Sequence, residues 1–166
     1  PDGRLVIGGR FSAVNGTNQP GIARLHADGS LDETFDSQAS SLYSGPSRIV
    51  VCPDSRILIS GCLTWVGNSN LEGIVRLNPD GSRDNSFYGR LPADVMVGCR
   101  VMQLLDDGRI LVGGGNRGLP VRPYWLRLHA DGVIDRAFSN GPAGPNDNVG
   151  SIALQQDGKL VVGGRF

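Results

Sequence analysis

Four bursts of consecutive apolar residues punctuate the chain: Leu5-Val6-Ile7, Ile57-Leu58-Ile59, Ile110-Leu111-Val112 and Leu160-Val161-Val162. A run that is apolar at every position has no wet face, so each burst predicts a strand covered on both sides. Each is preceded by an Asp-Gly or Asp-Ser pair, and the last three are preceded before that by a second apolar-polar run such as "SIALQQ". Asp-Gly between two such runs is a strong signal for a tight hairpin. A second hairpin is predicted where "GIARLHA" meets "SLDETF" across another Asp-Gly. Helices are not expected. The 3.6-residue apolar period is absent, and Gly or Pro interrupts nearly every twelve-residue window, at about 1 or 3 kcal/mol each.

The two hairpins recur in phase. "DGRLVIGG", "DSRILISG", "DGRILVGG" and "DGKLVVGG" begin at Asp2, Asp54, Asp107 and Asp157, a period near fifty. Such a period marks a repeat architecture. "IARLHADGSLDETF", "IVRLNPDGSRDNSF" and "WLRLHADGVIDRAF" recur between them. Each unit therefore reads as four antiparallel strands, a to d, with the apolar burst as strand b. Four-stranded sheets covered on both faces are blades, and a β-propeller protects their edges. The fold class is all-β. Residues 1–166 form a single repeat region of about three and a quarter units, starting near Asp2, Asp54, Asp107 and Asp157. That is too few to close as an isolated propeller, since these have about 4 to 8 blades. A longer chain, or an assembly whose neighbour covers the terminal strands, is the expectation.

The pattern "PDG-(K/R)-(L/I)-x-(V/I)-G-G" followed by "R-L-x-x-D-G-S-x-D-x-x-F" resembles the delta-60 repeat, a β-propeller repeat of large secreted or surface-attached bacterial proteins. The resemblance covers the whole chain. It implies a secreted or cell-surface location and no particular activity. Local departures are Ser55 for the turn Gly, Ser60 for the first Gly of the pair, and Val133 for the Ser after Asp-Gly.

Composition narrows the partners. The formal net charge is zero, so the electrostatic footprint of a nucleic-acid binder is missing. No run approaches the about 20 apolar residues of a membrane-spanning helix. Cys52, Cys62 and Cys99 lack C-x-x-C spacing, which argues against a structural zinc site. Hairpin register places Cys62 and Cys99 at the same end of neighbouring blades, where a disulfide would suit an oxidising compartment.

The candidate chemistry is mostly repeated in every unit. Asp28, Asp80 and Asp131 precede turn glycines, and Asp32, Asp84 and Asp135 follow four residues later. D-x-S-x-D resembles the opening of a calcium loop, but the downstream bidentate Glu is missing. Turn closure explains these aspartates better, and no cofactor is expected. Arg24, Arg76 and Arg127 recur on strand c and should pair with Asp32, Asp84 and Asp135, because a charge between blades needs a partner. Phe35, Phe87 and Phe138 read as core anchors. His26 and His129 occupy equivalent positions and gather no other ligands, which fits structural or solvent-exposed side chains. The sequon Asn15-Gly16-Thr17 lies in a connection.

The b–c and d–a connections are longer and vary between units, and they should share one end of the blades, opposite the Asp-Gly turns. Tyr43, Trp65, Asn68, Tyr88, Arg90, Arg117 and Arg122 lie in these connections and are types enriched at recognition surfaces. No nucleophile elbow or phosphate loop occurs. The functional expectation is a non-catalytic extracellular or cell-surface module that recognises a protein or glycan partner, or assembles with neighbouring chains. The alternative is a propeller hydrolase or lyase whose site needs blades outside this chain.

Overall fold

A computed structural model of the chain describes residues 2–37, 39–40, 45–61, 63–65, 68–71, 73–91, 99, 101–114, 125–138, 145 and 147–166. All regular elements among them are antiparallel strands. The chain falls into two compact units, Pro1–Asn85 and Ser86–Phe166.

In the first unit, β1 (Leu5–Gly8) pairs with β4 (Ile22–Leu25), and β7 (Ile57–Gly61) lies between β6 (Pro46–Val51) and β10 (Ile74–Leu77). In the second, β12 (Ile110–Gly113) lies between β11 (Val101–Leu104) and β13 (Trp125–Leu128), and β14 (Val149–Leu154) pairs with β15 (Leu160–Gly164). These are strands a, b and c of the repeats. The apolar burst is central in both of these three-stranded sheets, β6-β7-β10 and β11-β12-β13, so both its edges and both its faces are occupied.

Strand pairing is set by the turns. Asp54 Oδ1 accepts from the Arg56 amide and Asp107 Oδ1 from the Arg109 amide, each at 3.0 Å. A side-chain cap of this kind closes the reversal without a further residue. Ser55 adopts the glycine conformation of its repeat position, with φ 65°, and retains the turn bond from its amide to Cys52 O at 2.9 Å. The departure from Gly thus leaves the turn intact at the cost of a strained backbone.

The fourth segment is shorter than the pattern predicts. Each contributes a single bridge, Leu25 with Leu31, Leu77 with Arg83 and Leu128 with Ile134. The cause is the second aspartate. Asp32 Oδ1 accepts from the Thr34 amide and hydroxyl, and Asp135 Oδ1 from the Ala137 amide, which turns the chain before a ladder can continue.

The core of the first unit joins Ile22 and Phe35 to Ile57, Ile59, Val75 and Leu77, with Val6 and Ile49 packed at its margin. Alternation along the strands therefore gives each repeat two faces. Val6 and Phe35 lie on the face that the first repeat turns to the second, while Ile57 and Ile59 receive it. The glycine ending strand b makes the approach close. A Cβ at Gly8 would run into the Pro46 and Ile49 side chains, and one at Gly113 would lie 3.0 Å from Val149 and 3.3 Å from Ile152. These are the same strand-a positions of the following repeat, so both units stack their repeats in one way.

Candidate functional site

The Asp-Gly end of the repeats is built from ion pairs. Arg24 Nε donates to Asp32 Oδ2 and Arg76 Nε to Asp84 Oδ2, both at 2.7 Å, and Arg127 Nε to Asp135 Oδ2 at 2.8 Å. The expected pair is present in each repeat. A second arginine, from the start of strand b, reaches the same carboxylate in two of them: Arg4 to Asp32 at 3.5 Å and Arg56 to Asp84 at 3.3 Å. Sequence reasoning missed that role, although its signal was the basic residue recurring after each Asp-Gly pair.

The Asp32 carboxyl is held down from 3.8 to about 2: the Thr34 hydroxyl contributes most, burial opposes it, and Arg24 adds to the lowering. Such a group is a fixed anion rather than a proton carrier near neutral pH. Asp28 and Asp80 are lowered too, by the hydroxyls and amides of Ser30 and Ser82, which donate to their Oδ1 atoms. Val133 supplies Asp131 with an amide alone. The six aspartates weighed as calcium ligands are thus engaged with the chain's own donors. Among the described residues, no three His, Cys, Asp or Glu side chains gather as metal ligands. His26 and His129 are exposed. The Cys52 thiol is pushed up, by burial first and by Asp54 second, away from easy nucleophile formation. Cys99 is buried, and its pairing with Cys62 falls on a residue outside those described.

The same end holds the repeats together. Asp36, just after Phe35, donates its amide to Asp80 O at 3.0 Å, and Arg24 Nη1 donates to Pro79 O. Gly81, between these contacts, has φ +94°, and a Cβ there would lie 2.8–2.9 Å from the Asp36 backbone. Within the second unit, the Tyr88 amide donates to Asp131 O at 2.7 Å, and a Cβ at Gly132 would lie 2.6 Å from Tyr88 O and 2.8 Å from the Phe87 ring. A glycine at this turn is what lets the preceding repeat's backbone close on it. Phe35 and Phe87 are buried as core anchors, whereas Phe138 is half-buried, with Trp125 against its edge at 5.2 Å and Arg127 over its face at 4.5 Å.

The connections form the other end. The first b–c connection folds into a hairpin, β2 (Ala13–Val14) with β3 (Thr17–Asn18), around Asn15 (φ 48°) and Gly16 (φ 82°). Both central residues take positive φ, as a type I′ turn requires, so the Asn-Gly of the sequon is also a hairpin signal. In the second repeat, β5 (Ala39–Ser40), from a d–a connection, pairs with β8 (Leu63–Trp65), from a b–c connection, and β8 pairs with β9 (Asn68–Leu71). The two kinds of connection therefore meet at one end, as expected.

This small sheet places Trp65 opposite Ala39 and Asn68. Arg90 is exposed. Tyr88 is exposed as well, but its amide bond to Asp131 O puts it beside an Asp-Gly turn rather than among the long connections. That relocation follows from the shortened fourth segment, which never carries the chain across the sheet. Tyr43, Arg117 and Arg122 lie outside the described residues, as do the side chains of Trp65 and Asn68.

Sheet repeats of one period, each stacked on the next within its compact unit, define the chain as a β-propeller repeat protein. It belongs to the DUF5122 family, a domain of unknown function described as a β-propeller, whose pattern matches residues 1–35, 52–87 and 105–138. Each matched stretch runs from the turn before strand b to the Phe that ends the fourth segment, Phe35, Phe87 or Phe138. No curated protein and no solved structure matches the chain. Among the described residues, no helix is long and apolar enough to cross a membrane.

Proposed function

We propose that the chain is a non-catalytic structural and binding module of the delta-60 repeat type, carried by a secreted or cell-surface bacterial protein. It recognises a protein or glycan through its long connections, or assembles through its blades. The observation that carries this reading is the division of labour between the two ends. Recurring titratable groups are spent on the frame: Asp32, Asp84 and Asp135 each face an arginine, and Asp28, Asp80 and Asp131 close turns. An enzyme needs a convergent set of unlike acid, base or nucleophile groups. Trp65 and Asn68 instead lie on connections that pair with one another and with Ala39–Ser40, the kind of display on which binding loops are commonly carried.

The test compares the chain with a Trp65→Ala/Asn68→Ala/Arg90→Ala variant on glycan arrays and against extracts of bacterial cell envelope. The expected result is a binding partner retained by the parent and lost by the variant at unchanged melting temperature. Turnover of a glycoside, ester or peptide panel by the purified chain, abolished by Asp84→Asn in a folded variant, would overturn the reading.

A further inference from the structure

A backbone amide that follows Asp or Asn lies within reach of the side-chain carbonyl carbon before it, and when it belongs to Gly no Cβ hinders ring closure between the two. In the Asp-Gly turns both partners of that reaction are engaged. The amides of Gly29, Gly81, Gly108, Gly132 and Gly158 each donate to the carbonyl three residues earlier, at 2.9–3.0 Å. The Oδ1 atoms of Asp28, Asp80, Asp107, Asp131 and Asp157 each accept from the amide two residues later. The turn thus holds nucleophile and carboxyl apart, and an ionised carboxylate is a poor electrophile.

Asn15–Gly16 differs on each count. Its turn closes through the pairing of Val14 with Thr17, as a two-residue hairpin does, so the Gly16 amide has no acceptor within its own turn. Among the described residues none takes it from elsewhere, and none donates to Asn15 Oδ1. The Asn15 side chain is neutral, and its one bond is from Nδ2, the leaving group, to Gly29 O at 3.2 Å. A Cβ at Gly16 would meet nothing within 4 Å, and both residues are exposed to water.

We propose that Asn15 is a self-modification site that cyclises onto Gly16 and converts to aspartate and isoaspartate. Asn is a thermally labile residue, and this turn leaves it unguarded. Hydroxide removes the Gly16 amide proton, and the nitrogen attacks Asn15 Cγ. A Cγ–N bond forms, the Cγ–Nδ2 bond breaks, and the amine leaves as ammonia with a proton from water. Water then opens the imide. Cleavage at Cγ restores the normal backbone with an Asp side chain, and cleavage at the Asn15 main-chain carbonyl gives isoaspartate. The sum is an amide and water giving a carboxylic acid and ammonia, with no oxidant or reductant. Three features of the hairpin change with it. The donor to Gly29 O becomes an acceptor, so that contact is lost. The sequon loses the nitrogen to which a glycan would be joined. In isoaspartate the backbone gains a carbon, which a two-residue turn cannot hold without releasing the Val14–Thr17 register.

The test is peptide mapping by mass spectrometry after incubating the folded chain at physiological pH and temperature. The tryptic peptide Phe11–Arg24 carries Asn15 and also Asn18, whose neighbour Gln19 makes it the internal reference, while the chain's other Asn-Gly pair, Asn140–Gly141, falls in a different peptide. Asn15 should convert at least tenfold faster than Asn18, and at least tenfold faster than the Asp-Gly turns isomerise, with its product resolving into aspartate and isoaspartate forms. Gly16→Ala, whose Cβ crowds the attacking nitrogen, should slow conversion at least tenfold in the folded chain and in a free Phe11–Arg24 peptide alike. Conversion no faster than that of Asn18 overturns the proposal. So does an Asn15 that stays intact in the folded chain while the free peptide reacts, since the hairpin then protects it, and so does a rate that Gly16→Ala leaves unchanged. None of these outcomes bears on the binding-module reading.

Discussion

The turns at Asp28–Gly29 and Asp80–Gly81 have the same residues and the same internal bonds, yet opposite surroundings. In both, the glycine amide donates back across the turn, at 3.0 and 2.9 Å, and the following serine caps the aspartate. Around Gly81 the backbone of Asp36 is pressed to contact distance, and around Gly29 there is open space. The contrast extends to strand b: Ile57 and Ile110 are 1% exposed but Leu5, at the same repeat position, is 55%, and Leu58 and Leu111 are 1% and 0% but Val161 is 52%. Repeat copies are alike in local structure, and their energetic weight is set by which face a neighbour covers. This is the nearest-neighbour logic of a repeat array.

Paired substitutions probe the difference most strongly. Gly81→Ala should cost about 3 kcal/mol, combining strain at positive φ with a collision against backbone that cannot rotate away. Gly29→Ala should cost about 1 kcal/mol, from conformation alone. Urea unfolding of dilute samples measures both, and equal losses would break the comparison. Truncating strand b repeats the contrast in apolar terms. Ile57→Ala should cost about 3 kcal/mol and Leu5→Ala, at the same repeat position, less than about 1 kcal/mol, since much of Leu5 is already in water.

Acid separates the latch frame from the surface. The Asp32 carboxyl sits at about 2 when folded against an ordinary 3.8. A depressed folded pKa means its stabilisation is complete above about pH 4 and is lost as pH falls from there towards 2. Thermal melts should drop through that window, and Asp32→Asn should flatten this part of the profile while lowering stability at neutral pH. A profile unchanged by Asp32→Asn would remove Asp32 from the frame.

The smallest expected effect is a gain. Ser55 holds φ 65° where Gly108 and Gly158 hold 81° and 79° in the equivalent turns. Ser55→Gly should therefore stabilise by about 0.5–1 kcal/mol. A loss would show that the Ser55 side chain contributes more than its strain removes.

The frame was legible because its signals are local and repeated. Asp-Gly turns, apolar bursts and the in-phase Arg and Asp predicted strands a to c, the turn end and the Arg24–Asp32 type of pair. The short fourth segment was not legible, since whether "SLDETF" runs as a strand depends on Asp32 Oδ1 capturing the Thr34 amide and hydroxyl. Tyr88 was misplaced for the same reason. The latch role of the turn glycines also escaped the sequence, because it needs the backbone of another repeat. The hairpin at Asn15–Gly16 could have been read from its Asn-Gly dipeptide, but the residues there also spell a sequon.

Native-state hydrogen exchange on dilute, single copies tests most directly whether cover, rather than strand sequence, sets stability. Amides of β7 and β12 should exchange slowest, through the highest-energy opening, while those of β1 and β15 exchange much faster despite near-identical apolar bursts. Equal protection of all four strands, or slower exchange in β1 than in β7, would contradict the account.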